Sequence, residues 1–109
     1  METSPKRVSG ERLSEKIARQ IARIAQESVR VDAEILKFLK EDFDEIRQKA
    51  RSEGIGYADL LKEILLGIEK GLVEGGVQSV AELKRILGRS EKALDRLEES
   101  WHPDDRKEL

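Results

Sequence analysis

Among side chains able to catalyse reactions or bind metals, the chain carries one histidine, His102, and no cysteine. Thiolate nucleophiles, thiolate metal sites and disulfides are excluded, and no second imidazole can complete a metal set or a triad. His102 precedes Pro103, where ending a helix is its commoner role. Twenty-three carboxylates remain as candidate acids and bases. Those inside apolar segments, such as Glu63 and Glu69, fall on polar faces, and no Gly-rich loop follows a strand pattern to cradle phosphate. The expectation is a non-enzymatic protein with no catalytic residue, metal or cofactor, and no small-molecule substrate is evident.

The remaining chemistry is cationic. Lys84, Arg85, Arg89, Lys92 and Arg96 lie between Ser79 and Glu98, where they could meet phosphates or base edges. Around them, Ser79-Val80-Ala81-Glu82 has the form of a capping box, Leu83 and Leu87 mark an inner face, and Gly88 offers a turn. Ser90 would then open a second short helix with Leu94 and Leu97 inside. This stretch of about 20 of the 109 residues resembles a helix-turn-helix unit of bacterial DNA-binding proteins. The resemblance implies a turn at Gly88 and nucleic-acid contacts by those five cations. It departs from the family at Lys84, where a small residue usually lies under the helix crossing. A second segment, Ser28-Val29-Arg30-Val31-Asp32-Ala33-Glu34-Ile35-Leu36, resembles the strand-to-helix start of ribbon-helix-helix repressors, which implies a short strand over its first residues. A small DNA-binding regulator is accordingly the alternative functional reading.

The elements that position these groups are helical. Leu13, Ile17, Ile21 and Ile24 recur at three- and four-residue steps, and the stripe continues through Val31, Ile35, Phe38 or Leu39, Phe43 and Ile46. No Gly or Pro interrupts residues 11–53, so one long helix over about 10–53 is expected. The weak point is Ser28 to Asp32, where β-branched residues alternate with polar ones and Asp32 could cap a new helix. Gly54-Ile55-Gly56 ends the first region. A second helix spans about 57–74, with Leu60, Leu61, Ile64, Leu65, Ile68 and Leu72 on its main face and Leu66 and Val73 off it. A third spans about 79–101, ended by His102-Pro103. Residues 1–9 read as a disordered leader in which Ser9 could cap the first helix, 10–102 as a single helical domain, and 103–109 as a disordered tail. The fold class is all-α, a helical bundle built on the long N-terminal helix.

Unbroken, that helix would run roughly 63 Å at 1.5 Å per residue, more than a compact chain of this size can cover with one partner helix. Its apolar stripe is therefore expected to seek cover from another chain, through self-association or docking of a partner helix. The expected interface comprises Ile17, Ile21, Ile24, Val31 and Ile35, with Trp101 as an aromatic anchor. Gly67 and Gly71, spaced by four with Gly75, would let another backbone approach closely. A homo-oligomer, with a dimer favoured, or a helical protein partner follows. The formal charge of −2 gives no overall pull toward nucleic acid or anionic lipid. Arg12, Lys16, Arg19, Arg23 and Arg30 flank the first stripe with Glu15 and Glu27 among them, which reads as a solvated face and not a membrane surface. The longest apolar run, Ile64 to Ile68, is far shorter than a membrane span, no secretory leader is visible, and cytoplasmic is the expected location.

Overall fold

The computed structural model describes residues 12–100. They form four α-helices with no strand among them: α1 (Leu13–Glu27), α2 (Val31–Ser52), α3 (Tyr57–Glu74) and α4 (Val80–Ser100). The expected leader, the Ser9 cap, the Trp101 anchor, the His102-Pro103 stop and the tail lie outside the described residues.

The long helix over 10–53 is two helices. Ser28 is extended (φ −106°, ψ 141°) and Arg30 leaves the helical region (φ −110°, ψ 73°). Val29 between them stands 97% exposed. No strand forms at Ser28 to Val31, so the ribbon-helix-helix start is absent. The reason is tertiary. Bent at this point, the two halves of the stripe can face one core, whereas a straight helix would leave one of them in water. The cleft between α1 and α2 is lined by Leu13, Lys16 and Ile17 from one and by Phe38, Glu45 and Ile46 from the other, so the two helices fold back on each other.

Glycine does end α2 and α3. Gly54 (φ 75°) and Gly76 (φ 104°) take the left-handed conformation. Ile55 N–H donates to the Ala50 carbonyl and Gly54 N–H to Arg51, while Val77 donates to Leu72 and Gly76 to Val73. Each set is a Schellman cap, with the apolar residue after the glycine packed on the core.

Around the bundle, α1 packs against α3, α3 against α4, α4 against α2, and α2 against α1, with α1–α3 the most extensive contact. One continuous core holds Ile17 and Ile21 of α1, Ile35 and Leu39 of α2, Ile64, Ile68 and Leu72 of α3, and Ile86 and Leu94 of α4. The molecule measures 43 × 38 × 20 Å, about two helices thick at 10–12 Å each.

The α1–α3 contact depends on absent side chains. A Cβ on Gly67 would lie 2.7 Å from the Ser14 carbonyl oxygen, one on Gly71 2.5 Å from that of Ala18, and one on Gly75 2.5 Å from the Ala25 Cβ. Three glycines one turn apart thus meet the backbone carbonyls of Ser14, Ala18 and Ala22 and the Cβ atoms of Ile17, Ile21 and Ala25, a close approach that only glycine allows. By contrast, nothing lies within 4 Å of a Cβ built on Gly88.

Replacing Gly71 by Ala should therefore destabilise the fold by about 1–3 kcal/mol through overpacking, outweighing the ~1 kcal/mol of helix propensity gained. Gly88→Ala should stabilise by about 0.5–1 kcal/mol, because only the propensity gain operates there. Urea denaturation of both variants checks the opposite signs.

Candidate functional site

Of the residues expected to face a partner, most lie inside the chain's own core. Ile17, Ile21 and Ile35 are buried, Gly67 and Gly71 are closed over by α1, and Ile24 and Val31 are half-buried against the same cluster. They fill the interior of one subunit. Within one subunit the bend at 28–30 halves the ridge, and α3 covers its first half.

The turn expected at Gly88 is also absent, since α4 runs unbroken from Val80 to Ser100. Ser90, read as the start of a second helix, is buried in the middle of α4, and its hydroxyl donates to the Ile86 carbonyl at 2.9 Å. That internal bond satisfies the hydroxyl without ending the helix. Ile86, Ser90 and Leu94 share the buried face on both sides of Gly88, so packing outweighs the propensity cost of one glycine. The geometry of a helix-turn-helix is not formed.

Two of the five candidate cations are engaged within the chain. Arg85 donates to Asp32 at 3.1 Å and to Glu82 at 2.6 Å, and Arg89 also donates to Asp32. Asp32 meanwhile accepts the Ala33 N–H at 2.9 Å, so it joins the first turn of α2 to the middle of α4. The Arg85 hydrogen bond is the main reason that the Asp32 carboxyl sits below its usual pKa, with burial opposing. Glu82 is lowered chiefly by the same guanidinium, and Arg85 is raised by Glu82 and then Asp32. The Ser79 hydroxyl accepts the Glu82 N–H at 3.2 Å as the capping box requires, while the Glu82 carboxylate goes to Arg85. Lys84, Lys92 and Arg96 are exposed.

Sequence reasoning missed a second long-range cap. Glu53, at the end of α2, accepts the Leu13 N–H at 3.1 Å and holds Lys49 at 3.2 Å, which places a carboxylate on the N-terminus of α1. Nothing local marks it, because its partner lies 40 residues away.

Two faces stay open on the surface: a groove of about 380 Å³ between α2 and α4, at Leu36, Lys40, Ala93, Arg96 and Leu97, and a larger one, of about 490 Å³, made by α3 and α4. On α3 it is lined by Lys62, Leu65, Leu66 and Glu69, and on α4 by Lys84, Leu87, Gly88 and Glu91. Leu66 is 53% exposed, and Val73 and Val80, one step further along each helix, are 54% and 63% exposed. Positions 62, 66, 69 and 73 share one face of α3, and 80, 84, 87 and 91 share one face of α4. Among the described residues, Lys62, Glu69, Lys84 and Glu91 have no ion-pair partner. The cleft between α1 and α2 is smaller, about 120 Å³, well under the ~300–1,000 Å³ of small-molecule sites. No cluster of three metal-ligating side chains is found among the described residues, and no helix there is long and apolar enough to cross a membrane.

The chain matches no known protein-family model, no curated protein and no solved structure.

The Asp32 cluster has a defined pH signature. Its carboxyl is lowered in the folded state, so the stabilisation is present above the unfolded carboxylate pKa and is lost as pH falls through the lowered value. Asp32→Asn should cost at most about 1 kcal/mol near neutral pH, since both guanidiniums are well exposed to solvent. The melting-temperature gap between the variant and the native chain should close as pH drops through the acid range.

Proposed function

We propose that the protein is a non-enzymatic helical interaction module that self-associates through the α3–α4 groove. The observation that carries this reading is the pattern of the groove's rungs. Counted outward from the connection between the two helices, Lys62 of α3 corresponds to Glu91 of α4, Leu66 to Leu87, Glu69 to Lys84, and Val73 to Val80, and the first three pairs line the groove. Each rung pairs either opposite charges or two apolar side chains.

Such a face is self-complementary. A two-fold axis running along the groove sets α3 of one copy over α4 of the other with the rungs in register. Lys62 then meets Glu91 of the second copy, Glu69 meets Lys84, and the leucines and valines meet each other. An isologous contact of this kind needs only one surface, used twice. The apolar centre supplies the burial, and the charges set the register. On this reading self-association uses the α3–α4 face and not the α1–α2 stripe.

Charge reversal tests this directly. Lys84→Glu should weaken self-association at least about tenfold, because like charges facing each other across an interface cost several kcal/mol. Glu69→Lys should do the same. A mixture of the two variants should associate again as a heteromeric pair, since each Glu then meets a Lys. Analytical ultracentrifugation over a concentration series reads all three. A native chain that stays monomeric throughout, or variants that associate as the native chain does, would overturn the reading.

A further inference from the structure

The segment joining α1 to α2 is built unlike the other two connections. Gly54-Ile55-Gly56 and Gly75-Gly76 end their helices with left-handed glycines and Schellman hydrogen bonds. Ser28-Val29-Arg30 has no glycine, no proline and no positive φ. Neither flanking helix has a side-chain cap at its outer residue on this side: Arg30 makes no capping hydrogen bond at the start of α2, and α1 ends with no basic residue in its last turn. Val29 exposes almost its whole apolar side chain to water. The β-branched Val29 and Val31 and the Asp32 bond to the Ala33 N–H weaken helix here, but no residue of the stretch forbids it. The bend is held from outside, by α1 lying on the glycines of α3 and by Arg85 and Arg89 holding Asp32.

A straightened segment would add the i→i−4 bonds of residues 29–33, about five backbone hydrogen bonds. It would also project α1 away from its own α3. The glycine-lined seat would then be empty in that chain, and α1 of another copy carries the same carbonyls and side chains that fill it, from Ser14 through Ile17 and Ile21 to Ala25.

We propose that α1 exchanges between two copies of the chain. Residues 13–52 of each become one helix, and each α1 docks on the Gly67/Gly71/Gly75 seat of its partner. Every contact of α1 with α3 and α2 is remade between chains, so the swapped dimer loses none of the monomer's core and gains helix at the hinge. Release of α1 opens the whole core, so exchange occurs on unfolding and refolding and not in the folded monomer. The inference rests on the hinge and the glycine seat alone, independently of the α3–α4 groove.

The test uses the absence of native cysteine. Lys16→Cys and Glu45→Cys place two spin labels in the cleft where α1 and α2 face each other. The labelled chain is refolded at high concentration with excess unlabelled chain, so that only distances within one chain are read, and the dimer is isolated by gel filtration with light scattering. The swapped dimer is expected to show a label separation of about 44 Å, the length of 29 helical residues, against a short distance in the monomer. Val29→Ala with Arg30→Ala should raise the dimerisation constant roughly tenfold, since both hinges gain helix propensity. Val29→Pro should give native-like monomer only. The preceding Ser28 is already extended as proline demands, while the ring clashes with the Ala25 carbonyl in a straight helix. A dimer whose labels stay close within one chain, an alanine variant that refolds only to monomer, or a folded proline variant with the same 44 Å dimer would each overturn the proposal. If the proline variant does not fold, the label distance and the alanine variant decide.

Discussion

The seating of α1 on α3 governs the rest of this structure. It requires three glycines at one-turn intervals along α3, and the approach is close enough that a Cβ at any of the three would overlap the backbone carbonyls and Cβ atoms of α1. A helix with Gly67 and Gly71 in its interior gives up about 1 kcal/mol at each. The return is burial: Ile17 and Ile21 on one side and Ile64, Ile68 and Leu72 on the other are removed from water without a gap between the backbones. Because α1 is covered in this way, the apolar stripe that continues into α2 has to turn back over the same core, and the chain bends at Ser28 to Arg30 although no residue there demands it.

That ordering of causes separates what the amino-acid pattern reveals from what it hides. All three later boundaries are legible because glycines and a serine cap mark them: Gly54 with Gly56, Gly75 with Gly76, and Ser79 each leave a local chemical signature that survives in the folded chain. The inner and outer faces of α3 are legible for the same reason, with Leu66 and Val73 outside the main stripe by spacing alone. The bend at 28–30 is legible only in part: the β-branched and polar run from Ser28 to Asp32 marks a weak point, but helical periodicity runs straight through it, and the packing of α1 on residues 67–75 lies far away in sequence. Gly88 misleads in the opposite direction: its local preference for a turn loses to Ile86, Ser90 and Leu94, which bury together only if α4 is continuous.

The candidate site shifted with the bend. Once α1 and α2 face inward together, Ile17, Ile21 and Ile35 cease to be surface, and besides Val29 at the bend the large apolar groups left outside are Leu66, Val73 and Val80 on the far helices. Arg85 and Arg89, conspicuous in sequence as cations for a phosphate, serve Asp32 across the bundle. Spacing could not show this, because the pairing depends on which ends of α2 and α4 meet. The lysines and glutamates of the α3–α4 groove alternate in a way the sequence does contain, but their rungs exist only after two helices are laid side by side.

Native-state hydrogen exchange tests the central claim most directly. If the glycine crossing seals the core, amides of Ile17 to Ile21 and of Ile64 to Leu72 should exchange together at the slowest rate in the molecule, through global unfolding. Amides of α1 exchanging well ahead of those in α3, as from a helix that detaches by itself, would show that the bundle stands without this contact and would contradict the account.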